Sequence, residues 1–593
     1  MATAESTRAT AVEGVASGER RAPRLWPALV LLVIYWIARV AVNTLAPGTF
    51  GQFLTLFYSP LLLALGLAIW WLAFSRLPWF DRVWAVGWLI LGGGLALRLA
   101  HASVGVMAFV IYALPVAATA IVLWQFLAWR WPAGLARIGL VAAAVLAWGY
   151  FDLVRLEGME GNFRTAWSWR WNPTAEEVYL ATLPAKAAQP AEAAAVDSPL
   201  EATAADWPEF RGPQRDGVVR GVRIAADWQA SPPKELWKKR VGPGWSSFAV
   251  VGDRAFTQEQ RGEEEAVVCL ALETGEPVWA HLDQARFWEA VAGAGPRATP
   301  TFHAGRIYAL GASGKLNCLE AASGKRIWTR DIAVDSGAKP PMWGFASSPL
   351  VIKGVVIVIA GAGNGKSVLA YDAGTGEPKW MGGSGTQTYS SAHRWAIGER
   401  QLVLVASDAG LEAFDPASGQ LAWKHDWPTG GVARIVQPHI MGAGQVLLGT
   451  GMGVGTRLLT VSVEGDDWKV AEGWTTKDLK PYYNDFVSQA GFGYGFDGEI
   501  FLCIDLSTGK RRWKKGRYGF GQVLLVADQG LLIVLSERGE VVLLQADPEK
   551  HRELAKFQAI AGKTWNHPVL ARGKLLVRNG EEMACFAVAT EGP

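Results

Sequence analysis

The octapeptide AGAGNGKS (360–367) nearly reproduces the phosphate cradle GxxxxGK(S/T), in which backbone N–H groups and a lysine hold a nucleotide. Its first required glycine is Ala360, and the VLAYDAGTG that follows alternates like a strand and turn, where a cradle needs a helix N-terminus. It is therefore read as a hairpin, as is GTGMGVG (449–455), and no nucleotide partner is expected. KRRWKKGR (510–517) sets six basic residues around Trp513. On an exposed outer strand such charge discourages sheet-to-sheet pairing, and contact with anionic lipid or an acidic partner is the sharper alternative. Cys269, Cys318, Cys503 and Cys585 each sit in an apolar strand before a turn, with no CxxC pair, so buried free thiols are expected rather than disulfides or a metal site. A net charge of +3 on 593 residues gives no dominant field for nucleic acid, and none is expected as a partner.

The elements that must position any site fall into two regions of unlike composition. Five apolar stretches, about 25–45, 53–75, 83–100, 103–127 and 134–152, each approach the ~20 residues a helix needs to cross a bilayer. The first has a long apolar run and no small-x-small site after it, so it reads as a retained span rather than a cleaved leader. Arg8, Arg20, Arg21 and Arg24 precede the first stretch, Arg76 and Arg82 lie in the second loop, and Arg130 and Arg137 flank the fourth. The first loop carries no charge, so the tail and the even loops are placed in the cytoplasm and everything after 152 outside it. In NFRTAWSWRW (162–171) an extended chain would put Phe163, Thr165, Trp167, Trp169 and Trp171 on one face. AKAAQPAEAAAVDSPLEATAA (185–205) has no periodicity and reads as a tether.

From 206 onward one pattern recurs: a period-2 apolar strand, a turn, and a Trp four residues after the turn glycine. The pairs are Gly275/Trp279, Gly324/Trp328, Gly376/Trp380, Gly419/Trp423 and Gly509/Trp513. Their glycines are 49, 52, 43 and 90 residues apart, the last being two units of 45. A four-stranded propeller blade occupies roughly 40–50 residues, so the period predicts a propeller. Units begin near 246, 298, 346, 390, 436, 485, 521 and 566, which makes eight. The fifth and seventh lack the regular Gly-to-Trp spacing. The eighth ends at MACFAV without an outer strand, and KELWKKRV (234–241), with Trp237 in the matching place, is the strand expected to close the ring.

This run AxxxxG(K/E)xxW, repeated about every 45 residues, resembles the pyrroloquinoline quinone (PQQ) repeat, and DWPEFRGPQRDGV (206–218) resembles the segment that leads into such propellers. The resemblance covers roughly 206–588. It implies an all-β eight-bladed propeller, here preceded by an α-helical membrane domain. It also implies that the Trp of one blade stacks over the turn of its neighbour. Burying an indole is worth on the order of 2–3 kcal/mol, enough to explain the repetition without chemistry. The expected organisation is a cytoplasmic tail at 1–24, five spans over 25–152, a juxtamembrane segment and linker over 153–205, and the propeller over 206–593.

Two families of function share this repeat. Quinoprotein dehydrogenases hold PQQ on the axis with a calcium ion bound by Glu, Asn and Asp, and use an Asp as general base. Assembly factors of the BamB type present loops to protein partners. Residues that start each blade are expected to ring the channel: Ser246, Arg297, Trp343, Tyr389, Arg434, Asn484, Asp485, Lys563, Trp565 and Asn566. Asp485 is the candidate base and, with Asn484 and Glu289, a candidate oxygen ligand. A calcium ion takes six or more oxygens, and three are few. The soluble region also leaves little material beyond its blades. The expected role is thus a binding or scaffolding module at the cell envelope, integral to a bacterial inner membrane, with a periplasmic or exterior propeller, a protein partner and no cofactor. The alternative is a membrane-bound, PQQ- and calcium-dependent sugar or alcohol dehydrogenase that passes electrons to quinone.

Overall fold

The computed structural model describes residues 24–183, 200–386, 388–442 and 444–591. The expected cytoplasmic tail and most of the expected tether lie outside the described residues. The chain divides into two compact units, one made chiefly of the apolar helices up to Arg155 and one that joins Ala46–Phe53 to the residues from Leu156 onward.

Among the described residues five helices, chiefly in the first unit, are long and apolar enough to cross a membrane. They are span 1 (Trp26–Leu45), span 2 (Phe50–Phe74), span 3 (Trp79–Leu99), span 4 (Val106–Ala128) and span 5 (Ala133–Leu153). Span 3 carries three consecutive glycines, and packing accounts for two of them: a Cβ on Gly92 or Gly93 would stand 3.2 or 3.0 Å from the Trp148 ring of span 5. Trp148 in turn stacks on Phe109 of span 4 at 4.8 Å.

The second unit is an eight-bladed β-propeller. Its blades span 249–284, 301–331, 350–382, 393–426, 439–476, 487–517 and 522–558, and the eighth consists of 569–587 plus Lys234–Arg240. The closing strand pairs Trp237 with Cys585, so the N-terminal strand of the domain completes the last blade as its sequence predicts. Blade 7 gains a fifth strand that the pattern did not announce, Val218–Val219, parallel to its innermost strand. Before the propeller, Val154–Met159 and Thr165–Trp169 form a two-stranded sheet. The aromatic alternation of 162–171 thus holds only over its middle: Phe163 turns at φ 62°, and Trp171 lies beyond the strand, stacked on Trp169 at 5.2 Å.

The recurring glycine and tryptophan form a girdle of contacts between blades. Gly324 adopts φ +72°, which a tight turn requires, and a Cβ there would stand 2.5 Å from the ring of Trp279 in the preceding blade. Trp279 then donates from Nε1 to the carbonyl of Ala321 at 3.0 Å. The same contact joins Trp237 to Gly275, Trp328 to Gly376 and Trp380 to Gly419. Within a blade, the residue directly across from each Trp is small, Cys or Ala, and a bulge follows it in blades 1, 2, 3, 4, 6 and 8. That explains the four cysteines, all buried and unpaired: a bulky indole on one strand needs a compact apolar neighbour on the next.

The girdle departs from its rule at blade 5. Its two outer strands run ten residues each, so no indole stands over the turn at Gly465, whose carbonyl instead accepts from Arg400 at 2.7 Å. Trp423 therefore covers no glycine and packs edge-on against Trp395 at 5.9 Å. Over Gly509 of blade 6 stands Trp474, which donates to the Leu506 carbonyl at 3.0 Å. Trp474 sits nine residues after Gly465 rather than four, which hid it from a spacing rule. Trp513 closes on blade 7 through the Asp547 carbonyl at 2.9 Å.

The glycine-rich stretches at 360–367 and 449–455 are hairpin connections between paired strands. KRRWKKGR is the outer strand of blade 6. Its charges pair locally, Arg511 with Asp478, Arg512 with Glu549, Lys514 with Asp497 and Arg517 with Glu499.

Candidate functional site

Each blade enters its innermost strand through a short polar segment, and these segments form a ring of hydrogen bonds at the inner edge. The N–H of Ser247 donates to Thr299 Oγ1 (3.0 Å), that of Thr299 to Ser348 Oγ (3.0 Å), and that of Ser348 to Ser391 Oγ (2.8 Å). Farther round, the Asp485 N–H donates to Gln522 Oε1 (3.0 Å), and Ser247 Oγ donates to the His567 carbonyl (2.6 Å). Short hydroxyl side chains suit this place because they satisfy a backbone donor of the adjacent blade without filling the centre.

Most of the expected channel residues occupy this inner edge, but they divide into two groups. The first is aromatic and lies at one rim. Trp343 of blade 3 packs at a tilt against Tyr389 of blade 4 (5.0 Å) and meets Tyr482 of blade 6 edge-on (6.2 Å). Blades 3 and 6 stand nearly opposite in a ring of eight, so those side chains meet over the axis. The chain of rings continues through Tyr483 to Trp565 (4.8 Å) and on to Trp245 (4.9 Å). Lys563 lies over both tryptophans, 4.6 Å from the Trp565 ring and 5.2 Å from the Trp245 ring. Its ammonium donates to the carbonyls of Met159 and Val291, and burial lowers its pKa to about 8. Beside this lid the Arg297 side chain is largely buried, its pKa brought down by burial to about 10, and pairs with Glu289 at 3.2 Å. Glu289 also accepts from the N–H groups of Val291 and Ala292. Arg434 donates to the Ser407 and Trp427 carbonyls.

The second group faces a plug made by the segment leading into the propeller. Residues 206–219 touch seven of the eight blades. Trp207 bridges Val250, Pro208 accepts from Phe302 N–H, and Arg215 donates to the carbonyls of Ser348 and Pro349. Arg394 reaches Glu209 and the Pro213 carbonyl. Arg211 donates to the Phe486 carbonyl at 2.8 Å, Val218 and Val219 add to blade 7, and Phe210 packs edge-on against His567 at 4.9 Å. Arg211 also lies 2.8 Å from the Asp485 carboxylate, both side chains buried. Burial alone would push the Asp485 carboxyl up; the Arg211 charge and a contact from His567 at 3.3 Å outweigh it and hold its pKa below the usual range. His439 and His393, also beside these arginines, are brought by burial to about 4 and about 3 and are neutral.

Asp485 and Glu289, proposed together as oxygen ligands, thus each face an arginine of their own. Asn484 uses its Oδ1 to accept from Tyr482 N–H (3.2 Å), and Asn566 donates to the Ser246 carbonyl (2.7 Å). Among the described residues no three His, Cys, Asp or Glu side chains converge as a metal site. A dication beside Asp485 would meet the Arg211 guanidinium, and a planar quinone at the rim would have to part rings that meet one another tilted or edge-on. The residues present do not fit PQQ with calcium. The sequence reasoning missed Arg211, Tyr482 and Tyr483; the arginine stands in the lead-in segment, where its two basic residues among small and acidic ones were the available signal.

Residues 263–515 match the family model described as "Outer membrane protein assembly factor BamB". The propeller is PQQ-like. No curated protein matches the chain. Among solved structures, this PQQ-like propeller resembles a europium-containing methanol dehydrogenase (14% identity, TM-score 0.49, 65% of this chain and 99% of that one). It also resembles BamB from Moraxella catarrhalis (14%, 0.44, 60% and 97%). A third likeness is to the quinohemoprotein alcohol dehydrogenase from Comamonas testosteroni (13%, 0.48, 70% and 84%). Scores below 0.5 at such identities support no conclusion about chemistry.

Proposed function

We propose that this protein is a membrane-anchored binding scaffold of the cell envelope, whose PQQ-like propeller presents its loops and outer strands to a protein partner. The observation that carries this reading is the axis: Trp343 and Tyr482 meet over one end of it, while Arg211 neutralises Asp485 at the other. Both places where a quinoprotein would work are committed to the chain's own contacts. What the fold offers a partner is its periphery, where Ile327, Met381 and Leu421 stand exposed on the outer strands of successive blades. The basic residues of the even loops support a bacterial inner-membrane location with the propeller on the periplasmic side.

The deciding experiment uses the detergent-purified full chain with PQQ and calcium, read by quinone absorbance and by sugar- or alcohol-dependent dye reduction. The scaffold reading expects neither saturable binding nor turnover. It further expects a photo-crosslinker at Met381 or Leu421 to capture one discrete envelope protein in cells. Saturable PQQ binding with turnover would overturn it.

A further inference from the structure

Span 1 buries a narrow stripe, Ala28, Leu32, Tyr35 and Arg39, whose spacing puts all four on one helix face. Three suit the inside of a helical bundle; the fourth is a guanidinium, and Arg39 is only 8% exposed. It lies six residues before the span ends at Leu45, roughly 9 Å along the axis. An ionisable group at such a position is expensive to keep unless it serves a ligand or a pathway.

The partners of Arg39 do not balance its charge. One N–H reaches the Leu56 carbonyl of span 2 at 3.1 Å. Its guanidinium carbon lies 5.8 Å from the ring of Tyr35 and 5.8 Å from that of Tyr112 on span 4. No carboxylate pairs with it among the described residues, whereas Arg137, at the far end of the same unit, has Asp81 at 2.7 Å. Close by, the hydroxyls of Tyr35 and of Ser59 on span 2 are buried beside each other without a well-formed hydrogen bond. Ser59 and Tyr112 are half-buried as residues, with their hydroxyl oxygens turned inward.

A guanidinium carries five N–H donors in a planar fork, and one is used here. The missing complement is an anion with several acceptor oxygens, which a phosphate supplies in the geometry the fork prefers. A neutral carbonyl would take one bond and leave the charge uncompensated. We propose that Arg39, with the Tyr35 and Ser59 hydroxyls, holds the phosphate of a membrane phospholipid drawn in between spans 1, 2 and 4.

The test uses full chain purified in detergent, delipidated, and titrated with phosphatidylglycerol, inorganic phosphate or a short-chain benzoquinone, while thermal unfolding and retained lipid phosphorus are read. Wild type should be stabilised by phosphatidylglycerol alone and retain it through gel filtration. Arg39→Gln should retain about tenfold less. Arg39→Lys, which keeps the charge but loses the fork, should be intermediate and guards against a variant that fails to fold. Equal retention by wild type and Arg39→Lys and Arg39→Gln would overturn the proposal. So would stabilisation of wild type by free phosphate or by the quinone in place of the lipid.

Discussion

The outer turn of each blade and its inner start do opposite things with the same repeat. At the outer turn, four successive contacts, Trp237 on Gly275, Trp279 on Gly324, Trp328 on Gly376 and Trp380 on Gly419, are nearly interchangeable. At the inner start no single residue recurs all round: Trp245, Arg297, Trp343, Tyr389, Arg434, Tyr483, Tyr518 and Trp565 precede the innermost strands. A contact made between identical neighbours has to repeat, because each blade is both donor and acceptor of it. A contact made across an axis has no such constraint, and each blade contributes something different to one shared lid and one shared plug. The repeat therefore reports the fold, and the departures report what the fold is used for.

Cutting into the girdle should have the largest effect. Trp279 is 2% exposed and packs in the core shared by blades 1 and 2, so Trp279→Ala should cost about 3–5 kcal/mol, measured as the shift in urea midpoint of the full chain in detergent. A loss below about 1 kcal/mol would mean that the girdle only decorates blades held together elsewhere.

The plug comes next. Arg211→Met leaves Asp485 buried without its cation and should cost on the order of 3 kcal/mol at neutral pH, most of it regained in Arg211→Met with Asp485→Leu. The pH dependence carries the sign. Because the folded pKa of Asp485 lies below its ordinary 3.8, its contribution is present above that value and is lost as pH falls through the folded pKa. The Arg211→Met protein should lack that acid-side loss. If the two variants are equally unstable and equally pH-dependent, the pair does not hold the plug.

Glu265 sharpens the comparison at a place between girdle and axis. It reaches from blade 1 to accept from Ala312 N–H and Ser313 Oγ of blade 2, and burial raises its pKa to about 7. A carboxyl raised on folding binds its proton more tightly in the native state, so its contribution is full below 4.5 and is lost as pH rises toward about 7. Glu265→Gln should flatten that slope, changing stability by roughly 1–2 kcal/mol between the ends of the window. An unchanged slope in Glu265→Gln would assign the pH dependence to another group.

Much of this architecture was legible because repetition is a statistical signal within one chain. Eight units, the closing strand and the five apolar helices follow from spacing and hydropathy alone. Trp474 was not legible, because blade 5 lengthens its hairpin and carries the indole away from its glycine in sequence while leaving it over the next blade in space. The axis was legible only as a set of positions. That Asp485 would face Arg211 depends on a segment some 270 residues earlier, and nothing local to NDF (484–486) indicates a cation. Asp485 beside Asn484 looked like a pair of metal ligands because, without its partner, a buried carboxylate has no other evident reason to exist.

Trp423 offers the smallest and most discriminating change. It carries the motif spacing yet faces no turn glycine, its Nε1 has no acceptor, and its ring meets Trp395 edge-on. If the girdle tryptophans stabilise through burial plus the hydrogen bond to the next blade, Trp423 lacks the second part and should tolerate a ring without a donor. Trp423→Phe should cost about 1 kcal/mol or less, mainly the smaller ring area, while Trp279→Phe should cost roughly 1 kcal/mol more because the Ala321 carbonyl loses its donor. Equal losses would show that burial alone carries the girdle. The hydrogen bonds to Leu272, Ala321 and Pro416 would then follow from stacking an indole over a turn rather than holding it there.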